Sequence, residues 1–265
     1  MRRIAGIVVG LLLLCCGASA APLTIVEDGK SDYPIVVPTK ASPSLRRGAT
    51  ELQTYIEKMS GAKLPLTDDL APLPQRAILV GDTRYSADLV KGVKLADLGA
   101  EGFVLKAAGP HVVVFGSDVR GAMYGCTALL EKLGARWYTA KVTFAPYHRT
   151  LSVPGEMDET QKPAFEYREA YISEAWDKDF SARMRLNGQA HRLDESTGGK
   201  VRYSHFVHTF DELIPRELYA THPEYFPLIK GSRQKPGYNQ RCLSNPDVLK
   251  IATQRVLKWI ADDPG

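Results

Sequence analysis

The sequence FVLKAAGPHVVVFG, residues 103–116, is the strongest indication of the fold of the first part of the chain. Its two apolar runs, residues 103–106 and 112–115, have the composition of buried strands. Ala108, Gly109 and Pro110 lie between the runs and are typical of a tight turn, so the two strands are predicted to pair as a hairpin. Similar apolar runs that would extend the same sheet are residues 35–37 and 77–80.

Two helices are predicted beside this sheet. Ser42 and Pro43 have the residue types of an N-cap and a first helical residue, and Gly61 ends the helix that follows. The second helix covers residues 120–133, where Gly134 is a typical stop. Each helix has one apolar face, formed by Leu45, Ala49, Leu52, Ile56 and Met59 in the first and by Met123, Cys126, Leu130 and Leu133 in the second. Strands that alternate with such helices indicate an α/β domain.

The first 20 residues have the pattern of a secretory signal peptide. Arg2 and Arg3 precede an apolar run, residues 4–16, and the small residues Ala18 and Ala20 flank Ser19 as signal peptidase requires. We therefore expect an exported protein, periplasmic or secreted, that begins at Ala21. The apolar run is shorter than the roughly 20 residues that span a bilayer, and no other stretch of the sequence approaches that length. No integral membrane segment is therefore expected after cleavage.

A lipoprotein anchored at Cys16 is the alternative for the amino terminus. It is less favoured because Cys15 occupies the position where a lipid-attachment site prefers Gly, Ala or Ser.

Removal of the signal peptide takes away Cys15 and Cys16 and leaves Cys126 and Cys242, which are too few for a disulfide scaffold. It also lowers the formal charge from +4 to +2, which argues against a nucleic-acid partner and favours a neutral one.

A second domain is predicted after a linker rich in proline and polar residues, residues 152–163. The first domain is then residues 21–151 and the second residues 164–265. Within the second domain, residues 165–172 and 189–193 have strand character, and residues 178–186 have helix character. The order strand, helix, strand predicts a parallel α/β unit, and a further helix begins at Asn245-Pro246.

The second domain concentrates polar and aromatic side chains that suit a sugar site. Aromatic faces stack on the C–H surfaces of a sugar, while charged and imidazole groups hydrogen-bond hydroxyls that would otherwise be buried without partners. The candidate substrate-binding residues are Arg168, Glu174, Trp176, His191, His205 and His208. An equally weighted alternative for each of them is an ordinary hydrogen-bonding role in the interior.

A metal site is a weaker hypothesis for the same segment. His205, His208 and Asp211 offer nitrogen and oxygen ligands, but on a strand the two histidines would point to opposite faces. We therefore expect neither a metal nor another cofactor.

Several motifs resemble known families. The sequences GATELQTYI (residues 48–56), ILVGDT (78–83), RGAMYG (120–125) and LLEKLGARWY (129–138) resemble the α/β domain that precedes the barrel in bacterial β-N-acetylhexosaminidases and α-glucuronidases. The sequences HTF (208–210), HPEYF (222–226) and CLSNP (242–246) are similar to the domain of unknown function 4838 family, whose members are relatives of these glycosidases.

The resemblance implies an α/β fold with two parts. These are an α+β sheet-and-helix domain like hexosaminidase domain 2 and the first part of a TIM-type (β/α)8 barrel. It places Arg168 where hexosaminidases have a sugar-binding arginine, while His191 and Asp194 keep only part of their His-x-His-x-x-Asp pattern. Such a barrel takes about 200 residues, whereas residues 164–265 number 102. We therefore expect an N-terminal fragment whose catalytic acid lies outside this chain.

The implied function is that of an exported, carbohydrate-active protein. It would be a glycoside-hydrolase-like enzyme that acts on O-glycosidic bonds of a polysaccharide or other glycan. The alternative is a protein that binds oligosaccharide or polysaccharide without turnover.

The signal peptide leads to a prediction about the exported protein. Its amino-terminal sequence should begin at Ala21, because Ala18 and Ala20 define the cleavage site. Amino-terminal sequencing together with the intact mass checks this. A lipid-modified terminus at Cys16 would favour the lipoprotein alternative.

Overall fold

A computed structural model describes residues 20–237 and 239–264. The signal-peptide prediction for residues 1–20 therefore lies almost wholly outside the described residues. The strands are β1 (Leu23–Val26), β2 (Ile35–Val37), β3 (Leu66–Asp68), β4 (Ile78–Val80), β5 (Phe103–Ala108), β6 (His111–Gly116), β7 (Arg136–Trp137), β8 (Thr143–Phe144), β9 (Leu151–Val153), β10 (Asp158–Gln161), β11 (Leu228–Ile229) and β12 (Ser232–Arg233).

The α-helices are α1 (Pro43–Ser60), α2 (Ser86–Val90), α3 (Leu95–Leu98), α4 (Gly121–Lys132), α5 (Lys178–Arg183), α6 (Phe210–Leu213) and α7 (Pro246–Asp262). Short 3-10 helices are Ser173–Trp176, Glu195–Thr197, Arg216–Ala220 and Pro223–Tyr225. Among residues 20–237 and 239–264, no helix combines the length and the apolar character that crossing a membrane requires. The chain divides into two compact units, which we call unit 1, up to Lys200, and unit 2, from Val201.

Unit 1 is built on a six-stranded mixed sheet with the order β10-β5-β6-β4-β2-β3. Strands β3, β2, β4 and β6 run parallel, and β5 pairs antiparallel with both β6 and β10. The predicted hairpin is confirmed, because Ala108 pairs with His111 across its turn. The predicted linker, residues 152–163, contains β10, which forms an edge of this sheet.

Helices cover both faces of the sheet because successive strand residues point to opposite sides. Helices α1 and α4 cover one face, and α2 and α3 cover the other. Leu105 and Val114 contact the first layer, whereas Val104 and Val113 contact the second. The α/β class predicted from the sequence is confirmed for unit 1.

Two glycines allow helix α4 to approach its neighbours closely. A Cβ atom on Gly48 of α1 would lie 2.8 Å from the Cα atom of Met123, and one on Gly125 would lie 2.5 Å from a methyl group of Val114. Both distances are too short for real contacts, so glycine is required for the two helices to touch and for α4 to lie on the sheet. Cys126 is fully buried in this layer, as predicted.

The strands predicted at residues 165–172 and 189–193 are wrong. The described residues 164–200 contain helix α5 and two 3-10 helices but no strand, so the predicted parallel α/β unit does not form there. The amide group of Asn187 replaces a strand ladder: the main-chain N–H of Arg168 donates to Asn187 Oδ1 (2.8 Å), and Asn187 Nδ2 donates to the carbonyl of Glu166 (2.7 Å). The barrel part of the predicted fold is not confirmed.

The segment from residue 164 to residue 200 belongs to unit 1 because ion pairs and hydrogen bonds tie it there. Arg47 of α1 pairs with Asp179 of α5 at 2.8 Å, and Arg120 Nη1 donates to the carbonyl of Gly198 at 2.6 Å. The compact unit therefore extends beyond the domain boundary that the prolines predicted near Ala164.

Unit 2 has a small core of its own. The buried residues Leu213, Ile214, Tyr225, Phe226 and Val248 form its centre. Helix α7 begins after Asn245, whose side chain accepts hydrogen bonds from the first turn, so the predicted start of this helix is confirmed. Strands β11 and β12 form an antiparallel hairpin.

The layer between α1 and the sheet makes Leu52 a test of the core. Leu52 is 0% exposed, so Leu52→Ala should lower the free energy of unfolding of the protein by about 2–5 kcal/mol. Leu70→Ala is the matched control, because Leu70 is 62% exposed and its loss should cost under about 0.5 kcal/mol. Urea denaturation measures both, and equal effects would contradict this core assignment.

Candidate functional site

Arg168 lies in unit 1 beside a buried carboxylate, Glu101, which the sequence analysis did not identify. The Nη1 atom of Arg168 is 2.8 Å from Glu101 Oε2. The other oxygen, Oε1, accepts from Arg120 Nε at 2.8 Å and from Asn187 Nδ2 at 2.9 Å. Glu101 therefore joins the beginning of α4 to the segment that carries Arg168 and Asn187.

The charges around Glu101 decide its protonation. Burial by itself would raise the pKa of this carboxyl, but hydrogen bonds from Arg168 and Asn187 and the charges of Arg168 and Arg120 lower its pKa below the usual value. The nearby Tyr124 phenol is also buried, and this burial together with the charge of Glu101 raises the pKa of Tyr124 to about 12. At neutral pH, Glu101 is thus ionised and Tyr124 is protonated.

The three other predicted residues of unit 1 occupy different environments. Trp176 is 45% exposed and contacts Tyr171 edge to face, with 6.2 Å between the ring centroids. Glu174 lies on the same 3-10 helix and accepts a hydrogen bond from Ser173 Oγ. His191 is fully buried, and its Nδ1 atom donates to the carbonyl of Ala175 at 2.8 Å. The geometry of His191 favours the interior role that was its alternative.

The remaining predicted residues, His205 and His208, lie in unit 2. The His205 ring stacks on Trp259 with 3.7 Å between centroids, and its Nδ1 atom lies 2.7 Å from Glu212 Oε2. The imidazole ring and its Nδ1 atom therefore both have contacts within unit 2. His208 is exposed and has a φ of 58°, a left-handed conformation that is uncommon for residues other than glycine.

His208 lines a cavity of about 420 Å³ in unit 2. Such a volume lies in the usual range for small-molecule sites, about 300–1,000 Å³. Phe210 supplies an aromatic wall. The other lining residues are Asp211, Arg216, Gly237, Asn239 and Gln240. This cavity combines an aromatic face with neutral and charged hydrogen-bonding groups.

An ion-pair network that includes the buried Arg241 holds the wall of this cavity. Asp211 accepts a hydrogen bond from Arg216 Nε at 2.8 Å and another from the buried Arg241, whose Nε atom also donates to the carbonyl of Ile214. The hydrogen bond from Arg216, followed by that from Arg241, lowers the pKa of Asp211. Asp211 is thus held ionised and fixed in position.

One polar atom at this cavity lacks a partner. Asn239 Nδ2 donates to the carbonyl of Lys235 at 2.9 Å, but within the described part of the chain the buried Asn239 Oδ1 accepts no hydrogen bond. A buried acceptor without a partner costs about 1–3 kcal/mol. A ligand that donates a hydroxyl hydrogen would remove this cost.

The structure thus divides the six predicted residues between the units. Arg168, Glu174, Trp176 and His191 belong to unit 1, and His205 and His208 belong to unit 2. The sequence did not predict a role for Glu101, Phe210 or Asn239. The sequence signal for Asn239 was a polar loop after Pro236, and the signal for Glu101 was a lone acidic residue before a strand. Over residues 20–237 and 239–264, no group of three or more His, Cys, Asp or Glu side chains could hold a metal ion.

The network around Glu101 predicts a pH-dependent stability. A pKa that is lower in the folded protein stabilises the fold above the unfolded-state pKa, about 4.3, and this stabilisation is lost as the pH falls through the folded-state value. Glu101→Gln should lower the free energy of unfolding by about 3 kcal/mol at neutral pH, because it leaves Arg120 and Arg168 without a counter-charge. It should also flatten the loss of stability in acid.

Thermal unfolding of wild type and variant at several pH values measures both effects. Glu156→Gln, which changes an exposed carboxylate of unit 1, is the control and should behave like wild type. Identical acid profiles for wild type and Glu101→Gln would contradict the role of Glu101.

Two family models match separate segments of the chain. Residues 27–129 match the glycosyl hydrolase family 67 N-terminus, and residues 137–265 match a domain of unknown function, DUF4838. A comparison with curated proteins finds no match. These segments confirm both resemblances that the sequence motifs indicated.

Two solved structures of glycosidases are similar to this chain at low sequence identity. A family GH115 4-O-methyl-α-glucuronidase, BtGH115A, with specificity for decorated arabinogalactans, matches 89% of this chain and 40% of its own with a TM-score of 0.55 and 13% identity. The N-acetyl-β-hexosaminidase of Streptomyces plicatus matches 89% of this chain and 41% of its own with a TM-score of 0.40 and 17% identity.

The chain thus spans about two fifths of the length of these two enzymes. Of these two matches, that of the glucuronidase, with a TM-score above 0.5, shows a shared fold. Together with this shared fold, the two matched segments support a DUF4838 protein related to glycoside hydrolases.

Proposed function

We propose that this chain belongs to an exported, carbohydrate-active protein and that the cavity of unit 2 binds a sugar ring. The observation that carries this proposal is the unpartnered Asn239 Oδ1 at a cavity that Phe210 and His208 also line. A pyranose ring offers hydroxyl donors on its rim and C–H groups on its faces. It would therefore satisfy the buried acceptor and contact the aromatic wall at the same time.

The geometry of His208 supports the same role. Its left-handed backbone costs about 1 kcal/mol or more, and strained residues of this kind concentrate at binding sites. Its side chain is exposed, so a ligand can reach it. Asp211, held by Arg216 and Arg241, supplies a fixed carboxylate that accepts hydrogen bonds from hydroxyl groups.

Hydrolysis of O-glycosidic bonds is the finer part of this proposal. The matched family 67 segment and the glucuronidase-like fold support it. A glycosidase needs an acid and a second group across the scissile bond, and we assign no described residue to either role. Glycan binding without turnover remains the alternative, and a (β/α)8 barrel is proposed only for the whole protein.

If the cavity of unit 2 binds sugar, substitutions of its lining residues should weaken sugar binding without lowering the stability of the protein. In the exported protein, His208→Ala and Asn239→Ala should each weaken oligosaccharide binding about tenfold, because each removes a hydrogen bond to the sugar, while the melting temperature changes little. The control is His222→Ala: His222 pairs with Glu224 in the same unit and does not line the cavity.

Isothermal titration calorimetry with a panel of neutral and acidic oligosaccharides measures binding, and release of reducing ends from the same sugars measures turnover. Binding with turnover supports the hydrolase, and binding without turnover supports the alternative. If wild type binds no sugar of the panel, or if the His222 variant loses as much affinity as the other two, the proposed site is wrong.

A further inference from the structure

Unit 1 contains a cavity of about 240 Å³ whose lining is rich in positive charge. Lys162, Arg168 and Arg185 carry the positive charges, and Glu101 is the one carboxylate among its lining residues. The remaining walls are formed by Phe103, Tyr124, Gln161, Pro163 and Met184. The cavity therefore has an excess of cations beside an apolar wall.

Glu101 does not neutralise this excess. Both of its oxygens are already used, Oε1 by Arg120 and Asn187 and Oε2 by Arg168. Arg185 has a separate partner, because its Nη2 atom donates to Glu131 Oε2. Glu131 does not line the cavity. These pairs leave part of each cavity-lining guanidinium group unused.

Two buried guanidinium nitrogens of these arginines lack hydrogen-bond partners. Within the described residues they are Arg168 Nη2 and Arg185 Nε. An unsatisfied buried donor is costly, and more so when it carries charge. Guanidinium donors match the oxygens of carboxylate and phosphate better than those of neutral groups, since charge-assisted hydrogen bonds are about twice as strong.

Arg185 stands where the backbone would favour glycine. Its φ is 57°, and the next main-chain N–H, that of Leu186, donates to the carbonyl of Ser181 at 2.9 Å, the pattern that ends a helix at a left-handed residue. A side chain at this position costs about 1 kcal/mol or more. The contacts of the guanidinium group are what arginine supplies here and glycine does not.

We propose that this cavity binds a small oxyanion, a carboxylate or a phosphate, through Arg168, Arg185 and Lys162. The anion oxygens accept from the unused guanidinium nitrogens, and the ammonium group of Lys162 adds charge. The site lies within unit 1 and does not depend on the sugar cavity of unit 2, so either proposal can fail without the other.

Isothermal titration calorimetry of the exported protein at low salt tests this site. Sodium D-gluconate and D-glucitol form a matched pair that differs chiefly in one carboxylate, and inorganic phosphate is the third probe. Gluconate or phosphate should bind at one site per chain, whereas glucitol should not bind. The stronger of the two anions identifies the preferred oxyanion.

Three variants separate ligand contact from folding. Arg185→Gly removes the guanidinium group and relieves the left-handed backbone, so the fold should persist while anion affinity falls at least about tenfold. Glu131→Gln breaks the Arg185–Glu131 ion pair but keeps the guanidinium group, and should retain anion binding. Arg192→Ala removes an exposed arginine of the same unit and should also bind normally.

Three outcomes would overturn the proposal. They are the absence of saturable binding of both anions by wild type, equal binding of glucitol, and unchanged affinity in Arg185→Gly. If Arg192→Ala loses affinity as much as Arg185→Gly does, the binding reflects net charge and the site is likewise rejected.

Discussion

The ionised Glu101 carboxylate is the interaction on which unit 1 depends beyond its sheet. It lies just before β5 and is contacted by Arg120 at the start of α4 and by Arg168 and Asn187 from the later segment. Residues 164–200 lack strands, so they cannot attach through a hydrogen-bond ladder. One carboxylate with three donors is therefore among the side-chain contacts that attach this segment to the rest of unit 1.

The net stability that a buried ion-pair network of this kind contributes is small compared with the cost of removing one of its partners. Desolvation opposes the charge, and only the surrounding donors make the ionised form favourable. The same arrangement presents Arg168 to a neighbouring cavity with one nitrogen unused. Arg168, which the resemblance places at a sugar-binding position, thus has a structural contact and an unused donor, and the two roles are compatible.

Each unit carries its own candidate binding chemistry. Unit 2 has a cavity with an aromatic wall and an unpartnered neutral acceptor, Asn239 Oδ1, which suits a donor such as a sugar hydroxyl. Unit 1 has a smaller cavity with unpartnered cationic donors, which suits an acceptor with negative charge. The two cavities differ because the unpartnered atom in unit 2 is a hydrogen-bond acceptor, which needs a donor, whereas those in unit 1 are donors, which need an acceptor.

Local elements of this protein could be predicted from its amino-acid pattern. Apolar runs, N-cap residues and glycine stops predicted the hairpin of β5 and β6 and helices α1, α4 and α7, because burial and capping act within a few residues of the chain. The motifs also indicated the two family segments. The segment after Ala164 was predicted less well, because alternating residues there resemble strands although Asn187 supplies the hydrogen bonds that a ladder would make. The three-dimensional fold was needed to show that Glu101 meets Arg168, that His191 is interior and that Asn239 lines a cavity. These facts depend on residues far apart in sequence that burial brings together, and no local pattern records which distant groups will meet.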